Sequence, residues 1–494
     1  MTEVSGETGT GGDAGKAKKS EEFGLRRDLG LCASISLSGG VMVGSGIFIS
    51  AQWVLVYSGS VGMSLLIWLL CAVVSIFGAL VSAELTLTYG KCGGHYMFML
   101  KTLGPMMAFA TSWFGFLVMS PVVFGIQTLA LAAYILEPIF PGCSEREDVK
   151  VLQKILGVGI IYFLVFMNMM SARVAALVQI VFTVGKGLAL AMIIITGVVR
   201  FAQGYSTGAF DQPFKGSVTD VSQLGLAFQS GLWAYAGWEV ICVVVEEVKN
   251  PRRNLVFAVL GSITLVTLLY LLVNIAYLAV LTAPEVKASP ATAVSFAQRM
   301  YGTGVQWLIP LCVSATVFGT MNARVYGLGR MYFAAAREGH LPRVLAMLHT
   351  DKRTPIPAML YLAFIITVIL IPRQTSVKML LKILGFGMWM NDSLLTIGLL
   401  WTRYKRPDLA RPFKPPVIVP IIYLAIALYL AITPIAAAPL ESLFAYISFF
   451  AGIPVYLVLV RYKLQPRWLM AMLDSLEFKT QQLFDLQYPT TNVK

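Results

Sequence analysis

Twelve apolar runs follow one another along this chain from Leu29 to about residue 461, most of them long enough to span a bilayer. A helix crosses the hydrocarbon core of a membrane in about 20 residues. The runs fall at approximately 30–57, 62–88, 105–137, 151–170, 174–200, 222–246, 254–282, 303–336, 356–372, 376–402, 416–434 and 440–461. They show no two-residue alternation, and an isolated strand cannot satisfy its backbone in lipid, so each run is expected to be helical. The fold predicted is an all-α membrane protein of about 12 transmembrane helices. Composition agrees, with 57% hydrophobic residues, 13% charged residues and a mean hydropathy of +0.74. An ordinary soluble domain is about a quarter charged. In a soluble protein the net charge of +13 would point to nucleic acid. Here the cations lie between apolar runs, not along one stripe, and they read as topology signals.

Of the 38 Lys and Arg, 25 fall in the set of loops that includes both ends of the chain and 10 on the opposite side. The positive-inside rule then predicts that both termini are cytoplasmic. Residues 1–28 are polar, carry no apolar signal-peptide core and read as a disordered tail. Trp468, Met472, Leu476 and Leu483 recur at helical spacing beside Arg461, Lys463 and Arg467. Segment 463–494 is accordingly expected to be amphipathic, either lying under the membrane or packed on the bundle. Of six cysteines, only Cys143 is expected on the oxidising side. An unpaired external cysteine points to an intermolecular disulfide or to a free thiol. The sequon Asn391-Asp392-Ser393 falls inside the tenth run, so no N-glycan is expected.

Two runs are interrupted. Gly44-Ser45-Gly46-Ile47-Phe48 stands at the middle of the first, where glycine weakens a helix and permits close backbone approach. A helix restarting near Ile47 would aim free N–H groups at the bilayer midplane, where its dipole favours a carboxylate. The plainer reading is tight packing through small residues. The sixth run carries Ser230-Gly231-Leu232-Trp233-Ala234-Tyr235-Ala236-Gly237-Trp238 at its own middle. The first and sixth runs open two five-run halves, 29–200 and 222–402, followed by two further runs within 416–462. An odd number of spans per half requires inverted topology, and paired interruptions at corresponding positions mark a transporter site.

At these residues the chain resembles the light subunits of the heteromeric amino-acid transporters. The glycine-rich break, the Ala234–Trp238 stretch, Glu246-Glu247-Val248-Lys249-Asn250-Pro251, Arg337-Glu338-Gly339-His340-Leu341-Pro342, the Pro-Gly-Cys143 loop and Arg411-Pro412-Phe413-Lys414 occur in the same order there. The resemblance covers roughly residues 25–470. It implies a LeuT-type 5+5 inverted repeat plus two extra helices, within the amino acid–polyamine–organocation superfamily. It also implies sodium-independent obligatory exchange of amino acids at the plasma membrane, without a cofactor. Ser45, Gly46 and Ile47 would bind the substrate carboxylate through backbone N–H groups. Carbonyls near Met42, Val43 and Trp233 would take the ammonium. Trp233 would also gate the site, and Cys143 matches the cysteine that bonds a single-span heavy chain of the rBAT or 4F2 type.

Lys186 lies about twelve residues from either end of the fifth run, too deep to snorkel, and a charge at that depth is functional by default. It matches the lysine that stands where sodium sits in sodium-coupled relatives, bracing spans one and eight. Ala236 occupies the position of an aspartate found in members that accept cationic amino acids, which implies neutral substrates with large or aromatic side chains. Glu239 and Arg324 depart from the family pattern and are expected either to pair near the midplane or to face water separately. His95, His340 and His349 fall between spans, no metal-ligand spacing is present, and no nucleophile has an evident base. A membrane enzyme therefore has no support. The rival readings are a proton-coupled symporter of the same fold, with Lys186 titrating, and a sensor that binds amino acids without moving them.

Overall fold

The computed structural model describes residues 29–488, apart from 45, 90–93, 138, 141–142, 144–145, 171, 206, 244, 246–247, 290, 306–307, 338, 340, 351–353, 438, 463 and 465–466. The expected tail and the residues Ser45, Cys92, Glu246, Glu247, His340 and Lys463 thus lie outside the described residues. The rest is almost wholly helical. The first run becomes α1 (Leu31–Met42) and α2 (Gly46–Ser58), bent by 55° at the break between them. Next come α3 (Val61–Tyr89), the short connecting α4 (Gly94–Thr102), and α5 (Pro105–Phe114), which continues through a π-helical turn at Gly115–Met119 into α6 (Ser120–Leu136). Two long helices, α7 (Glu147–Met170) and α8 (Ala172–Ala202), complete the first half.

The second half opens with the broken pair α9 (Val221–Tyr235) and α10 (Val240–Val243). It continues with α11 (Pro251–Val280), the short α12 (Ala283–Ala288), α13 (Thr292–Val305) and α14 (Leu308–Arg337). A 3₁₀ turn (Arg343–Ala346) and the two-residue strand β1 (Leu348–His349) lead to α15 (Ile356–Leu370) and α16 (Val377–Lys405). The last spans are α17 (Ile418–Ala437) and α18 (Pro439–Phe450) with α19 (Gly452–Val455) and a π turn to Arg461. Then follow α20 (Arg467–Phe484) and β2 (Leu486–Gln487).

All twelve expected runs therefore correspond to helical segments among the described residues. Six are individually long and apolar enough to cross a membrane, and the bent pair α1–α2 makes a seventh. The sixth run is broken into a 15-residue and a 4-residue helix, and α15 is only 15 residues long. Outward faces confirm lipid as the solvent. Leu66, Leu69, Leu70 and Val73 on α3, Ile155, Phe163 and Phe166 on α7, and Leu265, Leu268 and Leu272 on α11 are all exposed. Soluble monomers rarely leave apolar patches of that extent open.

The packing that positions the site is reciprocal. α2 lies along α9, α1 lies on α11, α9 lies on α3, and α8 runs against α14. Two backbone clips tie the segments before α1 and after α20 to loops on the same bundle. Leu29 forms a parallel bridge with Val248, and the Lys249 N–H donates to the Leu29 carbonyl at 2.9 Å. At the other end β2 pairs antiparallel with β1, with His349 opposite Leu486, while the Thr350 hydroxyl donates to the Asp485 carboxylate at 2.6 Å. α20 packs against the 3₁₀ turn, yet Trp468, Met472, Leu476 and Leu483 stay exposed along its free side. The helix is thus amphipathic and packed on the bundle along one face.

Candidate functional site

The site is built where the two interrupted helices meet. α1 stops at Met42. Val43 leaves the helical region (φ −70°, ψ 73°), and the Gly44 N–H turns back to the Met42 carbonyl at 2.7 Å. α9 stops at Tyr235, Ala236 is extended (φ −64°, ψ 141°), and Gly237 takes φ +125°. A side chain at that φ would be strained, and a Cβ there would also lie 2.8 Å from Val41 Cγ1 and 3.1 Å from the Met42 nitrogen. Gly46 is equally constrained by space, since a Cβ on it would stand 2.6 Å from the Cα of Ala234. The small-residue packing and the helix breaks are therefore one feature, because each glycine lets one broken helix lie directly on the other.

Four backbone N–H groups at a helix start and four carbonyls at a helix end lack intrahelical partners. Here the start of α2 and the ends of α1 and α9 converge in the interior of the bundle, presenting donors from one and acceptors from the others. Ile47 and Phe48 on the first turn of α2 are fully buried, and Tyr134 of α6 holds that turn by donating to the Phe48 carbonyl at 2.8 Å. Of the carbonyls expected to receive an ammonium, that of Met42 also accepts from the Tyr270 hydroxyl at 2.7 Å, and that of Trp233 accepts from the Ala236 N–H at 3.2 Å. Trp233 lies on the last turn of α9 and is buried.

Lys186 projects from α8 to α1, where its ammonium donates to the Gly40 carbonyl at 2.6 Å. Gly40 stands two residues before the end of α1, so the lysine steadies the broken helix from outside the break.

Glu239 follows the second break. Its carboxylate accepts from the Gly237 N–H at 2.8 Å and lines a cavity of about 200 Å³ with His95, Thr111, Phe114, Met119, Met388, Asn391, Asp392 and Phe449. Asp392 on α16 accepts from the Tyr423 hydroxyl of α17 at 3.0 Å. Glu239 and Arg324 of α14 form no direct ion pair among the described residues. Reading the sequence singled out neither Asp392 nor His95 for this cavity. Asp392 carried a usable signal, an acidic residue inside an apolar run, whereas Tyr270 carried none.

In the segment between α6 and α7, Cys143 is half-buried with a free thiol, and its carbonyl accepts from the Arg146 N–H at 3.0 Å. Among the described residues no three His, Cys, Asp or Glu side chains stand close enough to hold a metal ion.

A family model described as amino acid permease matches residues 29–459. The chain is 37% identical over 456 residues to the human (Homo sapiens) cystine/glutamate transporter, covering 92% of this chain and 90% of that one. It is 34% identical over 490 residues to the human b(0,+)-type amino acid transporter 1, covering 97% and 99%. Against the large neutral amino acids transporter small subunit 2 of Rattus norvegicus it is 34% identical over 473 residues, covering 94% and 86%.

Proposed function

The chain belongs to the amino acid permease family, among the light subunits of the heteromeric amino-acid transporters, and from that premise we propose that it exchanges one amino acid for another by alternating access around the meeting point of its two broken helices. One observation carries the reading, the contact between Gly46 and Ala234 that brings the donor start of α2 against the acceptor ends of α1 and α9. A zwitterion has the complementary polarity. Its carboxylate accepts from the N–H groups at Ser45, Gly46 and Ile47, and its ammonium donates to carbonyls near Met42, Val43 and Trp233.

Exchange is sodium-independent in this reading, because Lys186 supplies a fixed cation beside α1. Substrates are neutral with large or aromatic side chains, since Ala236 offers no counter-charge and Trp233 offers an aromatic face. The protein works at the plasma membrane with both termini cytoplasmic, and Cys143 bonds a single-span heavy chain of the rBAT or 4F2 type.

Efflux from cells or liposomes preloaded with labelled amino acid tests the core of this reading. Label should leave only when amino acid is present outside. Release into substrate-free buffer that depends on a proton gradient would indicate a symporter, and saturable binding without any efflux would indicate a sensor.

A further inference from the structure

Tyr270 lies on α11, outside both breaks, and its hydroxyl reaches both. The phenolic oxygen stands 2.7 Å from the carbonyl oxygen of Met42, the last residue of α1. It stands 2.9 Å from the carbonyl oxygen of Ala234, one residue before the end of α9. Both carbonyls belong to final helical turns, whose oxygens have lost the N–H that would have followed four residues on. The Gly44 N–H already serves Met42, and Tyr270 brings a donor within reach of Ala234.

The ring has little freedom. Tyr270 is fully buried, with Trp68 edge-on at 5.4 Å and Tyr235 edge-on at 5.2 Å between ring centroids. Tyr235 is itself tied to the Trp68 carbonyl through its hydroxyl at 3.2 Å. What stays free is rotation of the O–H bond. A phenol carries one proton, so it donates fully to one of the two carbonyls while the other accepts from elsewhere.

We infer that Tyr270 is a positioning residue of the exchange site: it holds the carbonyls of Met42 and Ala234 at a fixed separation, with its single proton on one and the other presented to the ammonium of the substrate. The inference rests on the proposal that carbonyls at the helix ends receive the ammonium. The ligand chemistry it assigns is a primary ammonium next to a carboxylate. When the ammonium donates to one carbonyl, the hydroxyl turns to the other, and neither buried acceptor is left without a donor.

Tyr270→Phe removes the oxygen and keeps the ring, with its contacts to Trp68 and Tyr235. The measurements are KM and maximal rate per surface molecule, and competition by the amino acid against its des-amino analogue. KM should rise about tenfold, the effect of one hydrogen bond, with maximal rate changed less than about twofold. Preference for the amine over the des-amino analogue should fall by the same factor. 3-Fluorotyrosine placed at 270 restores the hydroxyl and should restore both. An unchanged KM with full amine preference overturns the inference, and so does a loss of maximal rate alone, which is what mere loosening of the core would give. If Tyr270→Phe is retained inside the cell, the purified variant is read by thermal shift, where the extra stabilisation by amino acid over its des-amino analogue should be smaller than in the unsubstituted protein. An undiminished difference overturns the inference. Absence of trans-stimulated efflux in the unsubstituted protein would sink the exchange reading instead, while the thermal-shift comparison would still test Tyr270.

Discussion

Arg403 of α16 grips Glu84 of α3 at two points, with Nε 2.9 Å from Oε1 and Nη2 bonded to Oε2. Glu84 is fully buried, and Arg411 from the segment after α16 brings its Nε within 3.5 Å of the same carboxylate. The Arg411 guanidinium also donates to the carbonyls of Thr402 and Arg406, at 3.1 and 3.0 Å. The Arg-Pro-Phe-Lys motif thus has a structural use, folding the chain after α16 back onto a charge inside α3. Removing the acidic partner leaves guanidinium groups buried without compensation, which costs about 3–5 kcal/mol. Glu84→Gln should lower the melting temperature of the purified protein accordingly, and a variant that melts with the unsubstituted protein would show the grip to be dispensable.

Lys186 yields a prediction about ions. Uptake should be unchanged when choline replaces sodium, because in the proposed reading the Lys186 ammonium on the Gly40 carbonyl stands in for the ion. Lys186→Ala should abolish most exchange at normal surface abundance. A strong sodium requirement in the unsubstituted protein would remove the role assigned to the lysine.

Cys143 can be read on a gel. Cys143→Ser should abolish a reducible high-mass band formed with the heavy chain. Persistence of that band in the variant would assign the bridge to another cysteine.

Side-chain charge is tested at Ala236. Phenylalanine should compete for uptake more strongly than arginine, and Ala236→Asp should narrow or reverse the order by giving a cationic side chain its counter-charge. Arginine competing as strongly as phenylalanine in the unsubstituted protein would contradict the neutral preference.

Glu239 and Arg324 form no direct ion pair among the described residues, so any coupling between them should be smaller than that of a buried contact pair. Glu239→Gln and Arg324→Ser should each impair surface-normalised uptake, and the double variant should recover part of the loss. Strictly additive losses would mean that the two charges act independently.

How far this site could be read from the chain depended on whether a residue looked wrong where it stood. Gly44, Gly46 and Gly237 are conspicuous inside apolar runs, and two of them prove necessary, Gly237 by its φ of +125° and Gly46 by its contact with Ala234. Lys186 and Arg324 stood out as charges at membrane depth. Tyr270 looks like any aromatic in an apolar helix, and its partner Met42 lies 228 residues away. No local pattern encodes that meeting. Asp392 shows in the sequence only as part of a sequon and as a charge in an apolar run, and the cavity joining it to His95 and Glu239 depends on packing among elements far apart in the chain.

The bridge from Leu29 to Val248 and Lys249 bears on how the carrier changes shape. It ties the residue before α1 to the loop just beyond α10, so the two broken helices are joined at the glycine contact and again ahead of α1. A swing of α1 alone would have to part this second joint, whereas a rotation that carries α1 and the loop together would leave it intact. The joint therefore favours α1 and the loop after α10 staying together as one body in any rearrangement of the breaks.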